Sequence, residues 1–268
     1  MEKSNQSIEC RRLEHRLKER FVKAMAAYRL IEDDDKILVG LSGGKDSLLL
    51  TELLAKRARI QHPRFTVEAL HVRMENIHYE TDTSYLQQFC DDLGVRLHIR
   101  TTGFDTISTE QSERRDLSTS LEMTSKEKRR QKQPCFLCSW NRRKQLFNLA
   151  QELGCNKIAL GHHQDDIIHT ALMNLTFQAH FSTMPVRLKM RKMPLTIIRP
   201  LCLIPESDIQ TYAEMQGYEK QQKLCPYETG SHRTDIKEIY DRLEALNPEA
   251  RYNIWRALET DNKLIEES

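Results

Sequence analysis

Apolar residues along the chain recur with two different periods, and each period predicts a different kind of element. Between residues 11 and 30 they recur at helical spacing, which predicts an N-terminal helix, at Leu13, Leu17, Phe21, Val22, Met25 and Tyr28. Short apolar runs bounded by polar residues or glycine predict strands at 36–41, 65–72, 95–100 and 157–161. The stretches that follow or precede them predict helices at 47–58, 83–93, 139–153 and 165–177.

This alternation of strand and helix has the spacing of a parallel sheet with helices on both faces. We therefore expect an α/β fold with a doubly wound parallel sheet. An N-terminal helical segment is expected at 1–34, a domain that carries the sheet at 35–205, and a helical C-terminal extension without strands at 206–268. Ligands of such sheets bind at the carboxyl ends of the strands, so the glycine-bearing strand ends at Ser42 and Gly161 are candidate edges of a site.

Composition narrows the class of protein. The 268 residues are 39% hydrophobic and carry a formal net charge of +2, which is typical of a folded chain and not of a disordered one. No apolar run approaches the ~18 residues of a membrane helix. The segment Met1–Arg20 lacks the apolar core of a secretory signal. We therefore expect a cytosolic enzyme with no membrane partner.

Positive charge is concentrated in three segments despite the small net charge. They are Arg11–Lys23, Lys126–Lys132 and Arg187–Lys192. If they converge on one face they suit a polyanion such as tRNA, and three separate solvated surfaces are the equal alternative. The second segment belongs to 109–133, a charged stretch with little periodicity that we interpret as a long insertion.

The segment Ser42–Ser47 follows the first predicted strand and opens a helix, which is the context of a phosphate-binding loop. Gly43 and Gly44 let the backbone approach a phosphate, and the N–H groups and dipole of the helix start attract it. The two serine hydroxyls add donors, and Lys45 adds positive charge. Asp46 beside a phosphate would repel it unless a divalent cation lay between them, so this residue predicts Mg²⁺. The loop is not a Walker A sequence, because an aspartate follows the lysine.

Seven cysteines argue against a disulfide scaffold, because the number is odd and no signal peptide is apparent. Cys135 and Cys138 form a close pair whose spacing lets both thiolates face one metal or cluster. Half of a zinc site, a redox dithiol, a partial iron–sulfur site and coincidence all fit this pair. Cys225, in a loop-like break between predicted helices, is the best candidate for a third ligand. Three cysteines would leave one iron of a four-iron cluster open for an exogenous ligand such as sulfide.

The loop matches the signature of the PP-loop ATP pyrophosphatases, which cleave ATP between its α- and β-phosphates to adenylate a carbonyl group. Within that family, the runs Cys135–Arg143 and Lys157–Ile167, with Ile198–Leu201 and Cys225, resemble the tRNA 2-thiocytidine synthetases. The resemblance covers most of the chain in order and implies a Rossmann-like PP-loop fold. It implies ATP and Mg²⁺ as cofactors, and a tRNA in which a cytidine of the anticodon loop exchanges its C2 oxygen for sulfur.

The same resemblance implies roles for individual residues. Those that would hold the departing pyrophosphate are Ser42, Gly43, Gly44, Asp46 and Ser47. His71 and Val72 would lie near the adenine. Cys135, Cys138 and Cys225 would hold an oxygen-sensitive [4Fe–4S] cluster.

The stretch 161–169 is rich in histidine and aspartate and could suggest a metal centre. We favour the interpretation that Gly161 and His162 line the nucleotide through their backbone. Asp165 and Asp166 suit the start of a helix, where the dipole favours acidic residues. The resemblance makes Asp165 the expected catalytic carboxylate, acting through Mg²⁺ or on the adenylated oxygen.

Two residues near the cysteine pair receive separate interpretations. Arg142 lies one helical turn past Cys138, on the same face, and could neutralise charge that develops on the α-phosphate. Trp140 is predicted to be a core residue and not a surface on which bases stack. The cysteines predicted to be buried as small hydrophobic side chains are Cys90, Cys155 and Cys202.

Two features depart from the family pattern. The family usually has a second cysteine three places after the downstream one, where this chain has Glu228, and the insertion before Cys135 is unusually long. Related uridine-modifying thiolases have zinc-binding CxxC clusters at both ends, which this chain lacks. Expected protein partners are a sulfur donor such as a cysteine desulfurase and a second copy of the chain. The alternative functions are a lysidine-synthetase-like tRNA ligase with structural zinc and a non-catalytic, nucleotide-dependent RNA-binding module.

Overall fold

The computed structural model describes residues 2–103, 134–224 and 232–267. The helices are α1 (Glu2–Ala27), α2 (Lys45–Ala58), α3 (Ser84–Leu93), α4 (Pro134–Leu153), α5 (Gln164–Gln178), α6 (Glu206–Gln216), α7 (His232–Leu246) and α8 (Ala250–Thr260). The strands are β1 (Lys36–Gly40), β2 (Thr66–Met74), β3 (His78–Tyr79), β4 (Arg96–Thr102), β5 (Lys157–Ala159), β6 (Arg187–Lys189), β7 (Thr196–Ile198), β8 (Lys223–Leu224) and β9 (Ile265–Glu266). The predicted insertion at 109–133, Cys225 and Glu228 lie outside the described residues.

The main sheet confirms the predicted doubly wound architecture. Its strand order is β4-β2-β1-β5-β7-β6-β9, and the five strands from β4 to β7 are parallel. Within the sheet, the path of the chain starts at β1, moves outward through β2 to β4, and returns to β5 on the other side of β1. The carboxyl ends of β1 and β5 therefore flank the position at which the winding reverses, where such sheets bind ligands. Beyond these five strands, β6 is antiparallel to β7, so the sheet is mixed.

Alternate side chains of the strands enter two cores on opposite faces of the sheet. In β1, Ile37 and Val39 belong to one core and Leu38 to the other. The first core receives apolar side chains from α1, α2, α3, α5 and α6. The second receives Leu149 and Ala150 of α4. Both faces of the sheet are therefore covered, as its parallel strands require.

The expectation that 206–268 contains no strand is wrong. β8 and β9 lie in this part of the chain, and β9 extends the main sheet by pairing with β6. β8 pairs with β3 in a separate two-stranded antiparallel sheet. Each of the short strands has only two or three residues, namely β3, β6, β7, β8 and β9. Segments of that length show no apolar alternation from which a strand could be predicted.

Two helices begin earlier than their apolar periodicity indicates. α1 begins at Glu2 and α4 at Pro134, five residues before the predicted start at 139. Proline suits the first helical position, because its fixed φ is helical and its missing N–H has no intrahelical acceptor there. The cysteine pair therefore lies within the first turns of α4. None of the described helices combines the length and apolarity that a membrane span requires.

Part of the N-terminal basic segment is engaged in ion pairs within the protein. Arg16 and Arg20 of α1 contact the two carboxylate oxygens of Asp208 on α6, at 2.9 and 2.8 Å. These pairs hold α1 against α6 and reduce the positive charge available to a polyanion. The second basic segment, Lys126–Lys132, lies outside the described residues.

Candidate active site

The loop between β1 and α2 turns at Gly43, whose φ of 83° lies in the left-handed region that glycine favours. A Cβ atom at this position would lie 2.8 Å from the Cβ of Gln221, so a larger residue does not fit. Gly44 is the N-cap of α2 and makes no side-chain capping hydrogen bond. The first N–H groups of a helix lack intrahelical acceptors, and a phosphate is well suited to accept from them.

The two serines of this loop hold its shape. The Ser47 hydroxyl donates to the Gly44 carbonyl at 2.9 Å and accepts from the Ser42 N–H at 3.1 Å. The two hydroxyl oxygens are also 3.1 Å apart. Ser47 is buried and Ser42 is exposed. Ser42 is therefore the serine whose hydroxyl can also reach a bound group.

Lys45 and Asp46 lie at the start of α2 in a network of charges. The Lys45 Nζ atom is 3.0 Å from Glu206 Oε1 and 3.3 Å from Asp46 Oδ1. Burial opposes the charge of Lys45, but the carboxylates of Asp46 and Glu206 outweigh it and raise the pKa of this lysine. Burial likewise opposes ionisation of Glu206, but hydrogen bonds from Lys237 and Lys45 lower its pKa to about 2. Asp46 Oδ1 is buried and has no hydrogen-bond partner in the described chain.

The end of β5 packs directly against this loop. A Cβ atom on Gly161 would lie 3.1 Å from the carbonyl carbon of Asp46 and from the backbone nitrogen of Ser47. The contact is between backbones, so only glycine lets the two strand ends approach this closely. The next residue, His162, accepts a hydrogen bond at Nδ1 from Arg199 Nε at 3.2 Å. The two segments predicted to border the nucleotide are thus in contact.

Asp165, predicted to be a catalytic carboxylate, is 7% exposed and joins three helices. One carboxylate oxygen accepts from Arg251 Nη2 and the other from the backbone N–H of Glu206, both at 2.7 Å. Burial would raise the pKa of Asp165, but these partners outweigh it and lower the pKa. Asp165 is therefore ionised at neutral pH. Its hydrogen bond from the backbone of Glu206 holds in place the residue whose side chain contacts Lys45.

The histidines around the start of α5 serve its structure. His163 is its N-cap, with a reciprocal pair of hydrogen bonds to Asp166 at 3.4 and 3.2 Å. The ring of His169 packs edge-on against Tyr240 with centroids 5.1 Å apart. Within the ranges that the structure describes, no group of three or more His, Cys, Asp or Glu side chains is arranged to hold a metal ion.

His71 and Val72, the residues predicted to lie near the adenine, are neighbours in β2 whose side chains lie in different environments. His71 is 2% exposed, and its Nδ1 atom is 2.8 Å from the Leu41 carbonyl oxygen. Burial lowers the pKa of His71, so the ring is neutral at pH 7 and donates from Nδ1. Its Nε2 atom is buried without a hydrogen-bond partner in the described chain. Val72 packs in the second core.

Cys135 and Cys138 lie in the first turns of α4. Because β5 is parallel to β1 and follows α4, this helix begins at the edge where the parallel strands end. Cys135 is exposed and Cys138 is half-buried. The cysteine pair thus lies at the same edge of the sheet as the phosphate loop.

Arg142 extends from α4 one turn after Cys138. Its Nη2 atom donates to the Tyr79 hydroxyl at 3.2 Å, and its Nε atom is buried without a hydrogen-bond partner in the described residues. Its charge contributes to the lowered pKa of His71. Arg142 therefore lies between the cysteine pair and a predicted nucleotide contact.

The prediction that Trp140 is a core residue is wrong. Its side chain is 52% exposed, and Lys144 Nζ lies 5.4 Å from the centre of its ring. Trp140 precedes the buried Leu149 by nine residues, about two and a half helical turns, so the two side chains point to opposite sides of α4. Only the side of α4 that carries Leu149 faces the sheet.

The prediction that Cys90, Cys155 and Cys202 are buried is confirmed. Burial raises the pKa of Cys90 to about 12 and that of Cys155 to about 11. These thiols are therefore protonated at neutral pH and poor metal ligands.

A short antiparallel pair of strands brings the segment before Cys225 to α4. Lys223 of β8 lies opposite Tyr79 of β3, and Leu224 lies opposite His78. Tyr79 is the residue that accepts from Arg142. Two residues before β8, the backbone N–H of Gln221 donates to the Gly43 carbonyl at 3.1 Å. The segment 221–224 is therefore bonded to the phosphate loop at one end and to β3 at the other, and Tyr79 of β3 continues the connection to α4.

Sequence reasoning missed Tyr79, Glu206, Gln221 and Arg251. None belongs to a motif, and each reaches the site through a contact made only in the folded chain. Glu206 does follow Pro205 at the start of a predicted helical region, which is a weak signal of a helix N-terminus.

Comparison with known proteins identifies the family to which the chain belongs. The family model described as a PP-loop domain matches residues 11–222. A tRNA-cytidine(32) 2-sulfurtransferase of Bdellovibrio bacteriovorus is 32% identical over 254 residues, covering 94% of this chain and 89% of the relative. The chain belongs to the tRNA 2-thiocytidine synthetase family of PP-loop proteins. A second such synthetase relative, from Pseudomonas putida, is 30% identical and covers 94% of this chain and 86% of its own length.

A solved structure supports the assignment of this synthetase family member. The U34-tRNA thiolase NcsA from Methanococcus maripaludis, determined with its [4Fe–4S] cluster, superimposes with a TM-score of 0.66 at 28% identity. The superposition covers 93% of this chain and 79% of the thiolase. The predicted PP-loop fold is confirmed by this likeness and by the sheet order.

Proposed function

We propose that this chain is an ATP-dependent tRNA sulfurtransferase that replaces the C2 oxygen of an anticodon-loop cytidine with sulfur. The observation that carries the proposal is the position of two sites at one edge of the sheet. The phosphate loop and the start of α4, with Cys135 and Cys138, are joined through the segment 221–224 and the contact of Tyr79 with Arg142. The choice of cytidine rests on the relatives, which are named for acting on cytidine 32 of tRNA.

The phosphate loop is proposed to hold the pyrophosphate part of ATP. The first N–H groups of α2 and the Ser42 hydroxyl donate to phosphate oxygens, and Lys45 supplies positive charge. The neutral His71 ring, with Nδ1 donating to a carbonyl, leaves Nε2 as an acceptor that suits the amino group of adenine. Val72 supports that position from the core, and Gly161 and His162 border the nucleotide through their backbone.

The residues present fit a magnesium ion at Asp46. Asp46 Oδ1 is buried and accepts no hydrogen bond in the described chain, although Lys45 Nζ lies 3.3 Å from it, and a hard cation is a ligand that such a carboxylate oxygen suits. When bound, Mg²⁺ would neutralise part of the charge of the phosphates. Asp46 would hold it beside them.

The residues present also fit an iron–sulfur cluster at the start of α4. Cys135 and Cys138 lie three residues apart in the first turns of α4, so their side chains share one side of the helix, and Cys135 is exposed. Cys225 is proposed as the third ligand, because β8 ends at the residue before it and pairs with β3, whose Tyr79 contacts Arg142 of α4. When bound, a cluster with three cysteine ligands would supply a position for the sulfur that is transferred.

The reaction proceeds in two displacements. The C2 oxygen of the cytidine attacks the α-phosphorus, and the bond from that phosphorus to the bridging oxygen of the β-phosphate breaks, releasing pyrophosphate. The Arg142 guanidinium, which contacts Tyr79, is proposed to neutralise negative charge on the α-phosphate. Sulfide sulfur then attacks C2, and the bond from C2 to its oxygen breaks, so that this oxygen leaves within AMP.

Asp165 is proposed to act in this reaction by positioning. Both of its oxygens accept from protein groups, Arg251 and the Glu206 N–H, and so it fixes the charges around Lys45. The sulfur is proposed to come from a protein donor such as a cysteine desulfurase. A second copy of the chain is proposed as a partner in the active assembly.

The test is to incubate the anaerobically reconstituted protein with unmodified tRNA, Mg–ATP and sulfide, and to analyse the digested nucleosides by mass spectrometry. The expected product is 2-thiocytidine, formed only with ATP. A cytidine that carries an amine in place of the C2 oxygen would instead establish a ligase. Nucleotide-dependent tRNA binding without any modified nucleoside would establish a binding module.

A further inference from the structure

Gln221 lies over the phosphate loop although no motif includes it. Its backbone N–H donates to the carbonyl of Gly43 at 3.1 Å. Its Cβ and Oε1 atoms are 2.8 and 3.1 Å from the position that a Cβ atom of Gly43 would occupy. The glycine that gives the loop its turn therefore also makes room for this side chain.

The amide of Gln221 has a polar atom with no partner. Its Nε2 atom is buried and makes no hydrogen bond within the described chain. Buried amide donors are nearly always satisfied, so an unsatisfied one beside a loop of free N–H groups indicates an acceptor that belongs there. The N–H groups and the dipole at the start of α2 make that position favourable for an anion.

The backbone of Gln221 itself, through its N–H, and that of the residues after it hold the side chain in place. The Gln222 N–H donates to the Thr81 hydroxyl at 2.9 Å, and the Gln222 carbonyl accepts from the Glu80 N–H at 3.0 Å. β8 follows immediately and pairs with β3. The amide is thus presented to the loop by a segment fixed at both ends.

We infer that Gln221 is a ligand of the phosphate group bound by the loop, donating from its amide to an oxygen of the pyrophosphate part of ATP. This inference rests on the proposed function, because it takes the loop to bind ATP. It adds a phosphate ligand from the C-terminal part of the chain, about 180 residues after the loop itself.

The test compares Gln221→Ala and Gln221→Glu with the unchanged protein, using the full chain. Dissociation constants are measured by calorimetry for Mg–ATP, inorganic pyrophosphate and AMP. Loss of one hydrogen bond to a charged oxygen should weaken ATP and pyrophosphate binding by about tenfold or more. AMP binding should change little. Gln221→Glu should bind pyrophosphate more weakly than Gln221→Ala, since it places a negative charge at the phosphates.

Gln222→Ala is the matched control, because Gln222 is exposed and uses only its backbone in the contacts above. It should bind all three ligands as the unchanged protein does. Thermal unfolding without ligand checks that the variants fold, and Gln221→Glu keeps the packing of the side-chain stem. Pyrophosphate binding by Gln221→Ala equal to that of the unchanged protein would overturn the inference. Failure of the unchanged protein to bind ATP or pyrophosphate would instead overturn the proposed function.

Discussion

Buried polar atoms without hydrogen-bond partners gather around the candidate site. In the described chain, those beside the loop and α4 are Asp46 Oδ1, His71 Nε2, Arg142 Nε and Gln221 Nε2. They comprise an anionic acceptor, a neutral acceptor and two donors. Buried groups of this kind are satisfied by protein, water or ligand in nearly all folded proteins. Their mixture matches a cation, a base and phosphates, the parts of a bound Mg–ATP.

Replacing Asp46 by asparagine should stop adenylation and leave the fold intact. The change keeps the size of the side chain but removes the charge that would hold Mg²⁺ beside the phosphates. We expect tRNA-dependent exchange between ATP and pyrophosphate to fall by about 10²-fold or more, because metal charge stabilisation contributes several kcal/mol to such transition states. Asp92→Asn, at an exposed aspartate of α3, should exchange at the normal rate. Normal exchange by Asp46→Asn would refute the magnesium role.

Residues whose chemistry follows from local sequence could be predicted, and residues brought in by folding could not. Ser42–Ser47 and Gly161 were identified because a loop after a strand needs glycine and donors at fixed offsets, and their contact is now observed. Glu206 and Arg251 act through ion pairs with partners 161 and 86 positions away. No spacing rule links residues so far apart in the chain.

At the scale of elements, Asp165 joins α5 to both α6 and α8. It accepts from the first residue of α6 and from Arg251 near the start of α8. Arg251 also donates to Glu244 of α7. Four helices, α5 to α8, thus meet at one ionic network centred on the buried Asp165.

Arg251→Met should destabilise the protein at neutral pH and do so less in acid. The buried Asp165 carboxylate would lose its charged partner, at a cost of about 3 kcal/mol in the free energy of unfolding. Because the folded pKa of Asp165 is lowered, its stabilisation is present above the ordinary aspartate pKa of ~3.9 and is lost as the pH falls through the folded value. Urea unfolding of Arg251→Met and of the unchanged protein should therefore give a difference in the free energy of unfolding that is largest near pH 7 and becomes smaller below about pH 4.

Arg256→Met is the control for this comparison. Arg256 lies on the same helix, and its side chain is exposed and donates only to the Tyr252 hydroxyl among its observed contacts. Its substitution should change stability little, by about 0.5 kcal/mol or less, at either pH. A gap for Arg251→Met that is independent of pH would contradict the ionic role of Asp165.

A second prediction at this scale concerns α4 and the cluster. Cys135→Ala, Cys138→Ala and Cys225→Ala should each lose most of the iron and acid-labile sulfide after anaerobic reconstitution, because a cluster with two cysteine ligands is poorly held. Cys155→Ala removes a buried thiol that only packs and should retain both. ATP binding should survive in every variant, since the loop is built from other strand ends. Normal iron content in Cys225→Ala would refute the three-cysteine site.

At the scale of the whole molecule, the order of strands and helices was predictable where elements are long. β1, β2, β4 and the helices between them match their predicted positions within a few residues. For β1 and β2 the reason is that buried parallel strands are rich in apolar residues. The short strands β3, β6, β7, β8 and β9 were missed, because their pairing depends on residues distant in the chain. The β3–β8 pair also links the phosphate loop to α4, so a part of the fold that is hard to predict organises the site.

The proposed reaction needs a nucleotide site and a sulfur site at one edge of the sheet, close enough for one cytidine to use both. In that proposal the loop activates the C2 oxygen with ATP, and sulfur arrives from the side of α4. The proposed chemistry requires that the oxygen removed from the base leave in AMP. A mechanism in which ATP only drives a conformational change does not have this requirement.

The most direct measurement follows that oxygen. A tRNA whose target cytidine carries ¹⁸O at C2 is incubated with the reconstituted protein, Mg–ATP and sulfide, and the nucleotide products are analysed by mass spectrometry. We predict one 2-thiocytidine, one pyrophosphate and one AMP per turnover, with ¹⁸O in the phosphate of that AMP. Formation of 2-thiocytidine with unlabelled AMP, or with ADP and phosphate, would contradict it.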